Sequence, residues 1–388
     1  MTRFDPTELI HHPYQAPAGF AAPQLGVYKA STVMFPNVAA LRQRDWRFKD
    51  GYTYGLHGTP TTFALEERIA TLEGGSQCVL VPSGLAAVAL VDLALLSPGD
   101  EVLLPDNVYG PSLELARTDL ARWGITHRLY DPLDAAGLAA LVTPNTKLLW
   151  LEAAGSVTME FPDLAGLVQA ARAAGVTTAI DNTWGAGIAL RPFELGIDIV
   201  MQALTKFPSG GGDVLMGSVT TRSAALHERI KLAHMHLGYG VAGNDAELLL
   251  RSLPSLALRY HAHDATARAL AEWLATRPEI SRVLHPALPG CPGHAYWRAQ
   301  CTAAAGLFSV MVDERYSQAQ VDAFVDALRL FKIGYSWAGP VSLAVPYDLS
   351  GMRGGRPPYP GTLVRLAIGL ESEAALRADL VQALRALD

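Results

Sequence analysis

From about residue 75 to residue 220 the chain repeats one pattern, a short apolar run followed by a segment with helical spacing. Gln77–Val81, Asp100–Leu104, Ile125–Leu129, Lys147–Glu152, Thr177–Ile180, Asp198–Ala203 and Val214–Thr220 read as strands. Residues 84–96, 111–123, 134–142 and 162–174 read as helices; Pro111 suits a first helical position and Gly175 a stop. The strand runs are apolar throughout rather than alternating, so both faces are covered. That is the signature of a mostly parallel sheet with helices on both sides. Such a sheet holds its ligand beyond the carboxyl ends of its strands.

The rest of the chain frames this α/β unit. Residues 1–57 mix Pro, Gly, Tyr and Trp without a period and read as an extended arm that covers something, such as another subunit. After about residue 253 come helices rich in Ala, Leu and Arg and mixed segments such as Gly306–Val312 and Leu363–Ile368. The expected division is an arm over 1–57, a large domain over 58–253 and a smaller α/β domain over 254–388, a fitting number of cores for 388 residues. Charged residues are only 18%, below the usual quarter, which suits a surface partly hidden in subunit contacts. A net charge of −6 and the lack of any basic run argue against nucleic acid as a partner. The apolar stretch Gly84–Leu96 contains Asp92 and is too short to span a bilayer, and the N-terminus has no apolar signal core. Cys78, Cys291 and Cys301 make no disulfide framework, so a reducing cytoplasm is the expected setting.

Three features stand where such a sheet puts its ligand. Asp181 ends one strand, Lys206 follows the next, and Ser83–Gly84 joins a strand to a helix start. Pyridoxal phosphate (PLP) chemistry asks for these groups: a lysine to carry the cofactor, a carboxylate to keep its ring nitrogen protonated, and helix N–H groups for its phosphate. Each residue type is common in such places for plain reasons of capping or solvation, and by themselves they name no cofactor.

A longer series of motifs does. Y-G-L-H-G-T-P-T (Tyr54–Thr61), L-E-G-G (Leu72–Gly75), P-S-G-L-A-A (Pro82–Ala87), I-D-N-T-W (Ile180–Trp184), T-K (Thr205–Lys206), H-P-A-L-P-G (His285–Gly290), Y-S-W (Tyr335–Trp337) and G-T-L-V-R-L-A-I-G-L-E (Gly361–Glu371) occur in this order. In them the chain resembles the Cys/Met-metabolism family of fold-type I PLP enzymes, most closely its bacterial cystathionine β-lyases, from Tyr54 to the C-terminal helix. The resemblance implies that Lys206 carries PLP and acts on the substrate Cα proton, that Asp181 faces the ring nitrogen, and that Tyr109 stacks on the ring and shares in catalysis. It implies phosphate contacts from Gly84, Leu85 and Thr205, and from Tyr54 toward a neighbouring subunit, hence a catalytic dimer usually paired into a homotetramer. Arg365 would grip the α-carboxylate of a small amino-acid substrate, Ser336 would support that contact, and Trp337 would shape the distal side, with Tyr54 also near the substrate. The Y-S-W triplet favours β-elimination, which on cystathionine gives homocysteine, pyruvate and ammonia.

The chain also departs from the family. Leu56 stands where an arginine usually meets the neighbouring subunit's phosphate, with His57 beside it; Ala203 replaces a serine; Gly210–Gly212 replaces a polar segment; and Ala153 stands where a proline is usual. A charged hydrogen bond is worth about 1.5–3 kcal/mol, so losing one weakens cofactor binding by roughly 10–100-fold. A pocket remodelled for another amino acid, in a different C–S lyase or a β- or γ-replacement enzyme, therefore stays open, as does a binding protein without catalysis. Gly185–Ala186–Gly187 hints at a dinucleotide loop, but Leu190 occupies the third glycine position. The pairs His234/His236 and His261/His263 fall in helical context, where that spacing puts them on different faces, and no metal site is expected.

Overall fold

The structure, a computed structural model, describes residues 4–12, 16–353 and 358–387. Two sheets organise it. The larger contains β1 (Gln77–Val81), β2 (Glu101–Pro105), β3 (Thr126–Tyr130), β4 (Thr146–Glu152), β5 (Thr177–Asp181), β6 (Ile199–Gln202) and β7 (Gly217–Thr221), in the order β1-β7-β6-β5-β4-β2-β3. β7 runs antiparallel to both β1 and β6, and the other neighbours are parallel. Six strands therefore point the same way, and the ends of β1, β2, β4, β5 and β6 share one edge. The expected apolar runs are buried on both faces: Val102, Leu148, Leu149, Ala179, Ile180 and Ile199 are at most 1% exposed.

Two expectations need adjusting. The last strand starts at Gly217 rather than Val214, because Met216 instead exchanges hydrogen bonds with Thr205 and so leaves the ladder. The helix expected over 111–123 begins at Gly110 and is interrupted by a π-turn, Ala116–Leu120, which inserts extra backbone into the turn.

Beneath the shared edge, the helix Gly84–Leu95 buries Ala87, Val88, Leu90, Val91 and Leu95, at roughly 1.5–3 kcal/mol for each large side chain. Asp92, buried on the same helix, accepts a hydrogen bond from Trp150 Nε1 at 2.8 Å; such a partner is what makes its burial tolerable. Its carboxyl is nonetheless pushed up to about 7 by burial.

The second sheet holds β8 (Ile280–Leu284), β9 (Leu307–Val312), β10 (Lys332–Ile333), β11 (Leu343–Tyr347) and β12 (Thr362–Ala367), in the order β10-β11-β12-β9-β8. Only β10 and β11 pair in parallel, so the expected second α/β unit is built on a mainly antiparallel sheet. The helices Gln318–Asp326 and Glu373–Leu384 and the second half of Leu256–Leu274 bury their apolar residues with it, while Leu256 and Tyr260 join the core of the larger unit. Residues 16–57 hold one short helix, Val38–Arg42, and expose Met34, Phe20, Val38 and Phe48 by more than half. No helix among the described residues is long and apolar enough to cross a membrane.

Candidate active site

A cavity of about 790 Å³ opens at the carboxyl edge of the larger sheet and is closed from the other side by loops and by residues of β9, β11 and β12 of the smaller sheet. Gly84, Leu85, Tyr109, Asp181, Thr205, Lys206, Ser336, Trp337 and Arg365 all line it. Tyr54 does not. It lies on the arm, 45% exposed and bridged to Thr32, with its hydroxyl 3.5 Å from Ser31 Oγ.

Lys206 sits four residues beyond β6. Burial is the main cause that lowers its pKa, to about 8; Arg365 acts the same way, against the pull of Asp181. Its amine donates to Ser336 Oγ at 2.6 Å and lies 5.6 Å from the centre of the Trp337 ring. Ser336 thus contacts the lysine in this structure. Asp181 ends β5, accepts the Thr183 N–H at 2.9 Å, and is pushed up by burial while Thr183 and Lys206 hold it down. On the next strand, Glu152 pairs in register with Asp181, and its Oε2 accepts the N–H of Tyr109 at 2.8 Å. Burial, and then the nearby Asp181, raise the Glu152 pKa well above the usual carboxylate range.

The helix start behind β1 offers donors. Ser83 caps it, its Oγ taking the Ala86 N–H and its carbonyl the Ala87 N–H. That leaves the N–H groups of Gly84 and Leu85 at the open end, as helix geometry requires. A Cβ at Gly84 would come within 2.7 Å of the Ala203 Cβ, so glycine lets this helix start sit close to the Lys206 loop. Thr205 Oγ1 donates to Met216 O at 3.2 Å and accepts the Met216 N–H at 3.1 Å, so its proton is already committed.

Arg365, on β12, is 8% exposed, and no carboxylate among the described residues forms an ion pair with it. Its guanidinium lies 5.1 Å from the centre of the Tyr347 ring. A cation buried without a counter-charge is costly, and one facing a cavity is a ready receptor for an anion. The sequence reading missed Tyr347, Glu152 and Arg353, all cavity-lining. Arg353 pairs with Asp106 at 3.3 Å and with Glu160, which also accepts the Tyr359 hydroxyl at 2.7 Å. Glu152 carried the signal that singled out Asp181, an acid ending an apolar strand. Tyr347 and Arg353 carried none.

The family model described as Cys/Met metabolism PLP-dependent enzyme matches residues 6–385. A putative cystathionine beta-lyase of Rhizobium johnstonii is 42% identical over 365 residues, covering 93% of this chain and 90% of the relative. The cystathionine beta-lyase of Salmonella typhimurium is 37% identical over 361 residues, covering 91% of each. The crystal structure of metB from Corynebacterium glutamicum superimposes with a TM-score of 0.91 at 28% identity, covering 99% of this chain and all of that one. With the fold, the strand-end lysine and carboxylate, and a family match over almost its whole length, the chain belongs to the PLP-dependent enzymes of Cys/Met metabolism.

Proposed function

We propose that this protein is a carbon–sulfur lyase that cleaves L-cystathionine by β-elimination to homocysteine, pyruvate and ammonia, with PLP held on Lys206. The observation that carries this reading is one cavity that contains a half-buried lysine, a half-buried carboxylate on the adjacent strand end and a buried arginine with no ion pair among the described residues.

The residues present fit the cofactor. The Gly84 and Leu85 N–H groups would hold the phosphate at a helix N-terminus. Thr205 would join them once its hydroxyl turns from Met216. Asp181 would keep a proton on the ring nitrogen, and Tyr109 would lie against the ring. PLP, when bound, supplies an aromatic system that takes up the electron pair left at Cα. Arg365 would bind the substrate carboxylate through two parallel N–H bonds, a task suited to a planar guanidinium. The Lys206 amine, with a pKa of about 8, is partly uncharged near neutrality and would remove the Cα proton. Lys206 or Tyr109 would then deliver a proton to the departing sulfur. Trp337, beside Lys206, would limit the distal space.

Tyr54 would serve the site of a second subunit in a catalytic dimer, two of which make a tetramer. The apolar residues that the arm exposes support this. The two sheets support dividing the rest at about residue 253, and three free cysteines suit a cytoplasmic enzyme.

The test is to incubate the PLP-loaded protein with cystathionine. Pyruvate and homocysteine are expected in equal amounts. Release of 2-oxobutyrate and cysteine means attack at Cγ and ends the β-elimination reading, while a protein that never acquires a visible band with PLP ends the cofactor assignment.

A further inference from the structure

Glu73 is a buried carboxylate for which the proposed chemistry has no use. It closes the helix Pro60–Glu73, is 1% exposed and is not among the cavity-lining residues. Each of its oxygens is taken by a side-chain amide: Oε2 accepts from Asn182 Nδ2 at 2.7 Å and Oε1 from Gln202 Nε2 at 2.6 Å. Burial drives its pKa up to about 8, against the pull of the Asn182 amide and of Arg191. An acid placed at such cost is explained by what it joins.

Asn182 directly follows Asp181, and Gln202 ends β6, four residues before Lys206. The register between β5 and β6 stops at Asp181 and Met201, with one further bond from the Asn182 N–H to the Met201 carbonyl at 2.9 Å. Beyond that point the ladder no longer fixes one strand to the other. Glu73 ties the two there, together with Thr183 Oγ1, which accepts the Ala203 N–H at 2.9 Å.

We propose that Glu73 is a positioning residue: by bridging Asn182 and Gln202 it sets the separation of the Asp181 carboxylate from the Lys206 amine, and with it the fit of a pyridine ring between them. The inference rests on the PLP reading of that site and is tested by a readout other than turnover. PLP is stripped from wild type and from Glu73→Gln, Glu73→Ala and Asn182→Ala. Its dissociation constant is then measured from the visible band on re-addition, beside the thermal midpoint of each PLP-free protein.

The glutamine variant keeps the tether. Asn182 Oδ1 and Gln202 Oε1 are both buried without a hydrogen-bond partner, so either amide can turn over and accept from a carboxamide at position 73. Its PLP affinity is expected to stay within roughly 3-fold of wild type, while the alanine at 73 loses both bonds and weakens binding by about 10-fold or more. Asn182→Ala cuts one arm only and is expected to weaken binding by about 3–10-fold. It decides the matter if Glu73→Ala does not fold. If both alanine variants have lowered thermal midpoints but bind PLP like wild type, Glu73 is merely structural and the inference falls. If wild type itself shows no saturable band, the cofactor reading falls first and takes this one with it.

Discussion

Lys206, Asp181 and Glu152 follow or end the adjacent parallel strands β6, β5 and β4, where ladder hydrogen bonds fix each chain against the next. Ser336 and Trp337 face them from the connection between β10 and β11, where the backbone is held quite differently. Ser336 has φ 88° and Ala338 φ 64°, both in the left-handed region that side chains disfavour. Such residues persist only where the surroundings over-determine them. Here the surroundings include the Lys206–Ser336 hydrogen bond and the edge-on contact of Trp337 with Phe207, ring centres 5.6 Å apart. The floor is therefore placed by the fold, whereas the wall is placed partly by the floor. Substitutions in the floor should end catalysis, and substitutions in the wall should alter binding while leaving chemistry partly intact.

The largest effect is expected at Lys206. Lys206→Ala removes both the attachment point and the proton acceptor, and pyruvate release should fall by at least ~10³-fold. The same lysine gives a pH signature without any cofactor. Its ordinary pKa is 10.5 and its folded value about 8. Between those values the unfolded chain holds the proton and the folded chain does not, so unfolding takes up a proton and stability rises with pH. Below about pH 8 the burial cost of the charged amine is felt in full. Urea unfolding of the PLP-free protein should therefore show wild type gaining on Lys206→Met from pH 8 to pH 10. A constant gap would mean that the amine is not desolvated as the cavity implies.

Next comes Arg365, the strand-held cation of the wall. Removing one partner of a buried charged contact costs about 2–5 kcal/mol, so Arg365→Leu should lower kcat/KM by roughly 30-fold or more, chiefly through KM. Because the guanidinium has no ion pair among the described residues, the PLP-free variant should be no less stable than wild type. A variant with unchanged KM but a lowered thermal midpoint would assign Arg365 to structure and reverse its place in the comparison.

The floor was largely legible in the sequence, and the reason is physical. Strands buried on both faces must be apolar throughout, so a polar or charged residue closing such a run, as Asp181 does, marks a strand end. Ser83–Gly84 was visible because a helix start needs a cap. The wall was far less legible. Tyr347 closes β11 and Arg353 reaches the cavity from the β11–β12 connection, which has no periodicity to read. Arg365 and Ser336 were found by likeness to a family rather than by pattern. The hydrogen bond from Lys206 to the Ser336 hydroxyl left no mark in the sequence. The π-turn at Ala116–Leu120 left no mark, since one extra residue hardly disturbs the spacing of apolar positions. Tyr54, absent from the cavity of its own chain, has its expected role only if a second subunit brings it there.

Ser336 offers the smallest effect and the finest discrimination, because it unites the two ways of holding a wall. Ser336→Ala removes the oxygen that accepts from Lys206 but keeps the backbone at a left-handed φ. Ser336→Gly removes the same oxygen and also the conformational cost, since glycine takes that φ freely. A hydrogen bond of this kind is worth about 0.5–1.5 kcal/mol net, so each variant should lose roughly 2–10-fold in kcat. If the wall is held by its contact with the floor, the two losses match, because both variants lack the same contact and the loop has no other use for its strain. If loop rigidity matters by itself, the glycine variant falls further than the alanine variant, with KM rising as Trp337 moves. Steady-state kinetics on the pair separates the two, and a glycine variant at least ten times worse than alanine would show that the wall keeps its own shape without help from Lys206.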